Sequence, residues 1–538
     1  MPNVIINEKD RTVFNVVTND SDNIVYVPGI AVTGPSEPQL IRDYYTFLET
    51  YGANPNTSQQ NGCSWEYATN LLIEGFPVLY HRITSYNNGA DIVAGTAKKT
   101  ISVTTSEVIE GETVTTTTDE LVIASKYAGT VGNTYTVTFT LDWTAGTAGT
   151  LKYTAVQTIT NADGTTSEIV LDNNVLICNI PETVTTEADL FALIADTIES
   201  VESDYIVFDI VSDTFALPTD WELGEYALEG GTNGDEDAIA TALATDPTLT
   251  ADLKDEDLYD IKFITSGGAT AEKGSDMYKI LVNLAEARND CLAILDAPMG
   301  DIDLTTSTVQ EHFSDIVSSY ATACYPWVDF ILRTPGPSKW MSPSFVFLFE
   351  LAKSIKNGNP IWMPPAGVRR GLVPECNKLS HSITGAVADS WDTQYPHINP
   401  IRQIRNYGYA IYGQKTMYKV STTGATKSAF EDLNVRLTAN EIKRVLKYIS
   451  VNLTFEGNNY NTWLEFYNQL DPYLSSLLAN GALERYEIIM DETTTSQDDI
   501  NNNIVRGVVR VMITRIAEEF NIDFVITNNS ADFTESVV

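Results

Sequence analysis

Tyr259-Asp-Ile-Lys-Phe-Ile264, the segment Asp276 to Arg288, and Cys291-Leu-Ala-Ile-Leu-Asp296 read in order as strand, helix and strand. The two strands are short, almost continuously apolar runs, as expected where both faces of a sheet are covered. The segment between them is long enough to cross back over that sheet. Further on, Val309 to Tyr320 reads as a second crossover helix and Val328-Asp-Phe-Ile-Leu332 as a third strand. Strand and helix alternating in this way predict a parallel sheet with right-handed helical connections.

The same character appears near the start. Ile24-Val-Tyr-Val27 is a strand ending at Pro28-Gly29, and Ile30-Ala-Val-Thr33 continues it to the turn at Gly34-Pro35. Gln39 to Tyr51 reads as a helix closed by Gly52, and Trp65 to Glu74 as an amphipathic helix closed by Gly75. Pro77 to Ile83 is a buried strand. Residues 24–90 and 226–370 are therefore read as two parts of one α/β domain.

What separates them differs in composition. From about Asn87, Thr, Val and Gly dominate. Thr134-Tyr-Thr-Val-Thr-Phe-Thr-Leu141 alternates strictly, with threonines on one face and apolar groups on the other. That is a wet sheet face over a core, so 91–225 is read as an inserted β-sandwich. Asp189 to Val201 adds a helix and Tyr205 to Val211 a strand. Between 91 and 260 there are about 32 acidic and about 5 basic side chains, so most of the net charge of −39 sits there. An insert so acidic belongs on the outside of whatever the protein builds.

Past Pro364 the balance reverses, with about 12 basic and about 6 acidic residues between 360 and 450. Thr438-Ala-Asn-Glu441 matches a capping box, and Ile442, Val445, Leu446 and Ile449 form a buried stripe after it. Lys443, Arg444 and Lys447 lie off that stripe. They read either as a solvated face or as a cationic face for an acidic partner.

Both ends of the chain read as strands without local partners. Asn3-Val-Ile-Ile-Asn7 and Thr12 to Val17 flank the charged turn Glu8-Lys-Asp-Arg11. Ser496 and Asp499 resemble a capping box, with Ile500, Ile504, Val508, Val511, Met512 and Ile516 following at helical spacing. Asn521-Ile-Asp-Phe-Val-Ile-Thr-Asn528 then alternates as a half-buried strand. Such ends pair with another segment or another molecule.

The composition excludes several classes. Thirty-three basic against 72 acidic residues argue against nucleic-acid binding and against anionic membranes. No apolar run reaches the ~18 residues of a membrane span. The five cysteines (Cys63, Cys178, Cys291, Cys324, Cys376) are scattered without metal spacing, which fits buried thiols in a reducing compartment. The first 25 residues lack a basic start and an apolar core, so no signal peptide is expected. His81, His312, His381 and His397 show no ligand spacing, and there is no GxSxG elbow. Thr334-Pro-Gly-Pro-Ser-Lys339 lacks the glycine spacing of a phosphate loop, and its prolines remove amides. The acidic Gly230–Asp237 run does not match a calcium loop. No catalytic residue, cofactor or metal site is expected.

Five segments together carry a resemblance. Glu8-Lys-Asp-Arg-Thr12 follows the first strand. Tyr127-Ala-Gly-Thr-Val-Gly-Asn133 leads into the alternating strand. Trp362-Met-Pro-Pro-Ala-Gly367 is a Pro-Pro turn. Ile398-Asn-Pro-Ile-Arg402 precedes Gly408-Tyr-Ala-Ile-Tyr-Gly-Gln-Lys-Thr416, and Asn434-Val-Arg436 opens a helix. In this order they resemble motifs of contractile-tail sheath proteins, from phage tails to bacteriocin and type VI-like machines. Tyr412 stands where that family usually has tryptophan, and Lys415 where arginine is usual. Lysine is a point charge without the bidentate fork, which weakens any carboxylate pair between subunits that the resemblance implies at Lys415.

The resemblance implies a structural protein rather than an enzyme. The implied fold is α/β plus β: a subtilisin-like α/β core without catalytic residues, an inserted β-sandwich and a C-terminal α+β domain (371–519) nearest the tail tube. It also implies extended strand arms, 1–23 and 520–538, with Val4, Ile5, Ile6, Val13 and Phe14 in one and Ile522, Phe524, Val525 and Ile526 in the other. These would add strands to the sheets of adjacent subunits. The partners implied are further copies of the chain in stacked rings, a tail tube protein gripped through Lys443, Arg444 and Lys447, and baseplate and tail terminator proteins. The array would be assembled in the host cytoplasm, reside in the virion, and contract to drive the tube through the host envelope. Two rival readings are a static shell or baseplate protein with exchanged arms, and an enzyme on the α/β domain. The sequence offers the enzyme no nucleophile–base pair.

Overall fold

The computed structural model describes residues 23–518, apart from 56–60, 84–95, 110–111, 161–163, 213–214, 219–220, 235, 301–307 and 420–427. They form two compact units, one covering 23–436 and the other starting at Leu437.

The first unit is built on an eight-stranded sheet. Its spatial order is Gly408–Ile411, Asn399–Ile404, Ala321–Tyr325, Leu292–Leu295, Ile261–Thr265, Ile24–Gly29, Val78–Arg82 and Gln39–Ile41. The six inner strands run parallel and the two edge strands antiparallel. Five of those six inner strands are buried along their whole length, because helices cover both faces. Asp276–Arg288 is one crossover helix, capped by the Ser275 hydroxyl and closed by Asn289 in the left-handed region at φ 64°. Pro343–Lys356 is another, and its aromatic residues Phe345, Phe347 and Phe349 are fully buried. Each such ring contributes roughly 1.5–3 kcal/mol by leaving water.

Between Val78–Arg82 and Ile261–Thr265 the chain builds two further sheets. One joins Thr96–Ile109, Glu112–Ala128 and Ile206–Ile210. The other joins Glu225–Ala227, Tyr135–Asp142, Gly149–Thr160 and Thr166–Ile180. Leu121, Ile123, Val137, Phe139, Leu151, Tyr153 and Phe208 share one core, to which the helix Glu187–Thr197 adds Leu190 and Ile194. The strand Tyr135–Asp142 buries Tyr135, Val137 and Phe139 and turns its threonines outward, as its alternation requires.

The second unit contains most of the helix Leu433–Leu453, the helix Tyr460–Ala479, and a two-stranded antiparallel ribbon of Leu483–Ile489 with Val508–Ile513.

Several expectations are corrected. Ile30–Thr33 is a bend, not a continuation of the first strand, and only Tyr44–Tyr51 of the 39–51 segment is helical; Gln39–Ile41 is the sheet's edge strand. The core strand that follows Leu292–Leu295 is Ala321–Tyr325, not 328–332. Val328–Phe330 instead joins a small antiparallel sheet with Lys339–Met341 and Cys376–Leu379. The helix before it covers only Thr308–His312 among the described residues. Thr438 and Glu441 cap nothing: the helix already begins at Leu433, and the buried Leu433, Val435 and Leu437 draw its first turns into the fold. Ser496 and Asp499 do form a capping box, but their helix ends at Asn501, and Val508–Ile513 is a strand.

At the carboxyl ends of the parallel strands lies Asp296, fully buried. Its two oxygens accept from the Ser344 amide at 2.8 Å and the Ser344 hydroxyl at 2.5 Å, in the first turn of helix Pro343–Lys356. Burial pushes its carboxyl up to about 6 from 3.8, against the hydrogen bonds from Ser344 that lower it. With the folded pKa above the unfolded one, folding carries a penalty that is full above pH ~6 and fades as pH falls towards ~4. Asp296→Asn, which can still accept from the amide, is expected to keep the fold and to flatten stability between pH 4 and 6 in urea titrations. An unchanged pH profile would show that Asp296 does not carry this dependence.

Candidate assembly surfaces

The motif residues singled out in the sequence divide into structural knots and exposed surfaces. Tyr127–Asn133 belongs to the first kind. Asn133 donates to the Gly231 carbonyl at 2.9 Å and accepts from the Gly231 amide at 2.7 Å, while Asn233 accepts from the amide and hydroxyl of Thr130. The chain leaving the β insert is thus bonded to the chain entering it. Arg82, at the end of a core strand, completes the joint by donating to the carbonyls of Ala31, Gly34 and Ala128. Gly129, at φ 133°, permits this approach, since a Cβ there would collide with the Val32 carbonyl.

The segment 398–416 forms a second knot. Asn399 donates to Thr322 Oγ1 and to the carbonyls of Ala323 and Lys415, and accepts from the Lys415 amide at 2.7 Å. Lys415 Nζ, nearly buried, meets Asp432 Oδ1 at 2.8 Å. The cation at this position is therefore satisfied within its own chain. Thr416 ties the same loop to the carbonyl of Phe430 at 2.6 Å.

The histidines are packing groups. His81 bonds Tyr26 in the core, with burial lowering its pKa to about 4; His312 meets Tyr278, and His381 meets Tyr325. Four of the five cysteines are buried thiols, and no group of three or more metal-ligating side chains occurs among the described residues. Among those residues no helix is long and apolar enough to cross a membrane. Asp296, the carboxylate where an α/β enzyme would place its chemistry, is spent on the start of a helix.

Exposed apolar side chains are dense in the second unit. The ribbon places Val508, Val511 and Met512 36–55% exposed, with Ile504 and Val505 beside them. Among the described residues no third strand pairs with either of its edges. A groove of about 950 Å³ opens between the ribbon and the helices, lined by Leu446, Leu453, Phe466, Ile488, Met490 and Val508 among others. Sequence reasoning missed this ribbon, although the β-branched run Val508-Val-Arg-Val carried the signal. On the long helix, Ile442, Val445 and Ile449 are buried and Leu446 half-buried, with Lys443 and Arg444 half-buried and Lys447 exposed. Val4, Ile5, Ile6, Val13, Phe14, Ile522, Phe524, Val525 and Ile526 lie outside the described residues.

Comparisons with known proteins agree on one kind of relative. No family model matches the chain. It is 26% identical over 339 residues to the tail sheath protein of Enterobacteria phage T4, and 22% identical over 347 residues to that of Vibrio phage KVP40. Each match covers 60% of this chain and 50% of the relative, so the chain spans about half the length of the curated relatives it matches. The crystal structure of a sheath tail protein from Listeria innocua superposes with a TM-score of 0.51 at 12% identity, covering 91% of this chain and 95% of that one, a likeness of fold.

Replacing Lys415 with Met should leave the Asp432 carboxylate buried without its cation. The expected loss is about 3–5 kcal/mol of stability in urea unfolding. A loss under about 1 kcal/mol would mean the pair does not hold this loop. In sequence and in fold, the chain is similar to tail sheath proteins.

Proposed function

We propose that this chain is a sheath subunit that polymerises helically around a tail tube and contracts to drive the tube through a host envelope. The observation that carries the reading is the ribbon of Leu483–Ile489 and Val508–Ile513, read together with the sheath relatives. Its apolar side chains are exposed and its edges carry unpaired amides and carbonyls among the described residues. Such edges accept further strands. The apolar segments at the two ends of the chain would supply strands of matching chemistry. Arm 520–538 of one copy, and arm 1–23 of another, would extend the ribbon of a third into a wider sheet.

A donated strand of six residues forms about five backbone hydrogen bonds, each contributing roughly 0.5–1.5 kcal/mol net. Burying Ile522, Phe524 and Ile526 adds about 1.5–3 kcal/mol each. The entropy of ordering the arm offsets part of this. Joints of this kind tolerate rotation and sliding of the bodies they link, so an extended array can be metastable and released from one end. No nucleotide is required.

In this reading the α/β body is the subtilisin-like core of the family without its catalytic residues, divided as 24–90 and 226–370. Residues 91–225 form the outer insert, and within 371–519 the unit that starts at Leu437 is the tube-proximal part, because Asn399–Ile404 and Gly408–Ile411 belong to the eight-stranded sheet. The tube is gripped through Lys443, Arg444 and Lys447, and baseplate and terminator proteins close the ends. The chain is a virion component assembled in the host cytoplasm.

Removing 520–538 should give a folded monomer that forms no tubes at high concentration in negative-stain micrographs; normal tubes from that truncation would refute the arm model. Charge reversal at Lys443, Arg444 and Lys447 together should abolish co-assembly with the tube. Unaltered co-sedimentation of sheath and tube would remove these residues from the contact.

A further inference from the structure

Four arginines lie on neighbouring elements at one edge of the eight-stranded sheet, and none of them makes an ion pair among the described residues. Arg402 pairs across the edge hairpin with Ala410, whose other side bridges Leu372. Arg369 and Arg370 end the short helix Gly367–Arg370, which packs beside the strand Gly408–Ile411, and the Ile411 amide donates to the Gly371 carbonyl at 2.8 Å. Arg405 sits exposed at the hairpin turn, next to exposed Tyr407. The Arg402 guanidinium lies 4.8 Å above the exposed ring of Tyr412.

None of the four makes an ion pair or a side-chain hydrogen bond among the described residues, and Nε of Arg370 and of Arg402 is buried without a partner. Burial and the adjacent charge of Arg369 lower the Arg370 pKa. The neighbouring acids are already placed elsewhere. Asp389 and Asp392, on the helix Gly385–Thr393 beside Arg402's strand, are exposed and pair with none of them, and Glu375 is held by Arg333 and Lys353. A cluster of unspent guanidinium donors is costly to leave unpaired and well shaped for carboxylates.

The opposite charge is concentrated in the insert. Residues 153–253 contain no Lys, Arg or His at all. Around the helix Glu187–Thr197, the side chains of Glu182, Glu187, Asp189, Asp196, Glu199 and Glu202 are exposed. In a chain of net charge −39, two copies repel unless surfaces of opposite sign meet.

We propose that the arginine edge of Arg369, Arg370, Arg402 and Arg405 receives the acidic face around helix Glu187–Thr197 of a second copy of this chain. The contact joins two different surfaces, so it is heterologous and propagates along a helix instead of closing a dimer. It extends the sheath reading, on which it rests for the existence of a polymer. It adds a copy-to-copy link that does not use the arms. It also sets the register between copies, because charge complementarity discriminates against wrong juxtapositions.

The test uses the full chain. Replacing all four arginines by Ala should raise the protein concentration needed for assembly by about tenfold at low salt. It should also remove most of the salt dependence seen for the wild type between about 0.05 and 0.5 M, where screening shortens several-fold. Circular dichroism checks that the variant is folded. In a second experiment, Arg402→Lys with Arg405→Lys supplies amines for zero-length carbodiimide cross-linking in assemblies mixed from isotope-labelled and unlabelled copies. The expected cross-links join the introduced amines to carboxylates of 182–202 on a different copy. Links only to other carboxylates, only within one copy, or to a different protein would overturn the proposal, as would quadruple-variant tubes identical to wild type. Wild-type protein that stays monomeric at every concentration would instead overturn the sheath reading together with this contact.

Discussion

A two-stranded ribbon cannot satisfy itself. Each of its strands has one edge paired and one edge open, and its side chains cover neither face completely. In this chain Val508–Ile513 and Leu483–Ile489 are in that position, with valines and a methionine partly in water. The large α/β body and the β insert each bury a core of their own. The ribbon is the element whose geometry asks for strands from elsewhere, and the proposed assembly depends on it.

Charge is the second constraint. The insert carries acids almost alone, and the edge hairpin around Arg402 carries cations almost alone. Ion pairs within the chain are spent on holding the fold: Glu66 with Lys339, Lys415 with Asp432, and Arg333 and Lys353 with Glu74, Glu350 and Glu375. Glu350, buried in that network, is pushed up to about 8, mainly by desolvation. Arg369, Arg370, Arg402 and Arg405 are left without an ion pair among the described residues, and the proposed contact would supply one. In a polymer, such segregation favours head-to-tail contacts and disfavours self-pairing of like faces.

Much of the fold was legible because its physics is local. Leu292–Leu295 announces a buried strand by being apolar without interruption, Ile261–Thr265 is apolar apart from Lys262 and Thr265, and Ser275 and Asn289 mark both ends of one helix. The strand Ala321–Tyr325 was not legible. Its Ala-Thr-Ala-Cys residues are small, and Thr322 is the one β-branched side chain among them, too little to signal a strand. Thr438 to Glu441 satisfied a capping pattern that tertiary burial of Leu433 and Val435 overrode. At the C-terminal end, Val508, Val511 and Met512 fit a helical period and a strand equally well, and only pairing with Leu483–Ile489 decides between them. The motifs of the family resemblance located the two knots, but their roles needed three dimensions. That Lys415 serves Asp432 and that Asn133 serves Gly231 cannot be read from spacing.

The most direct test is a cryo-electron microscopy map of the assembled protein at a resolution that traces the backbone of the ribbon. The account predicts additional strands hydrogen-bonded to the edges of Leu483–Ile489 and Val508–Ile513, traceable to the first and last residues of other copies. A map in which those edges face solvent, or are covered by the ends of the same copy, would contradict it.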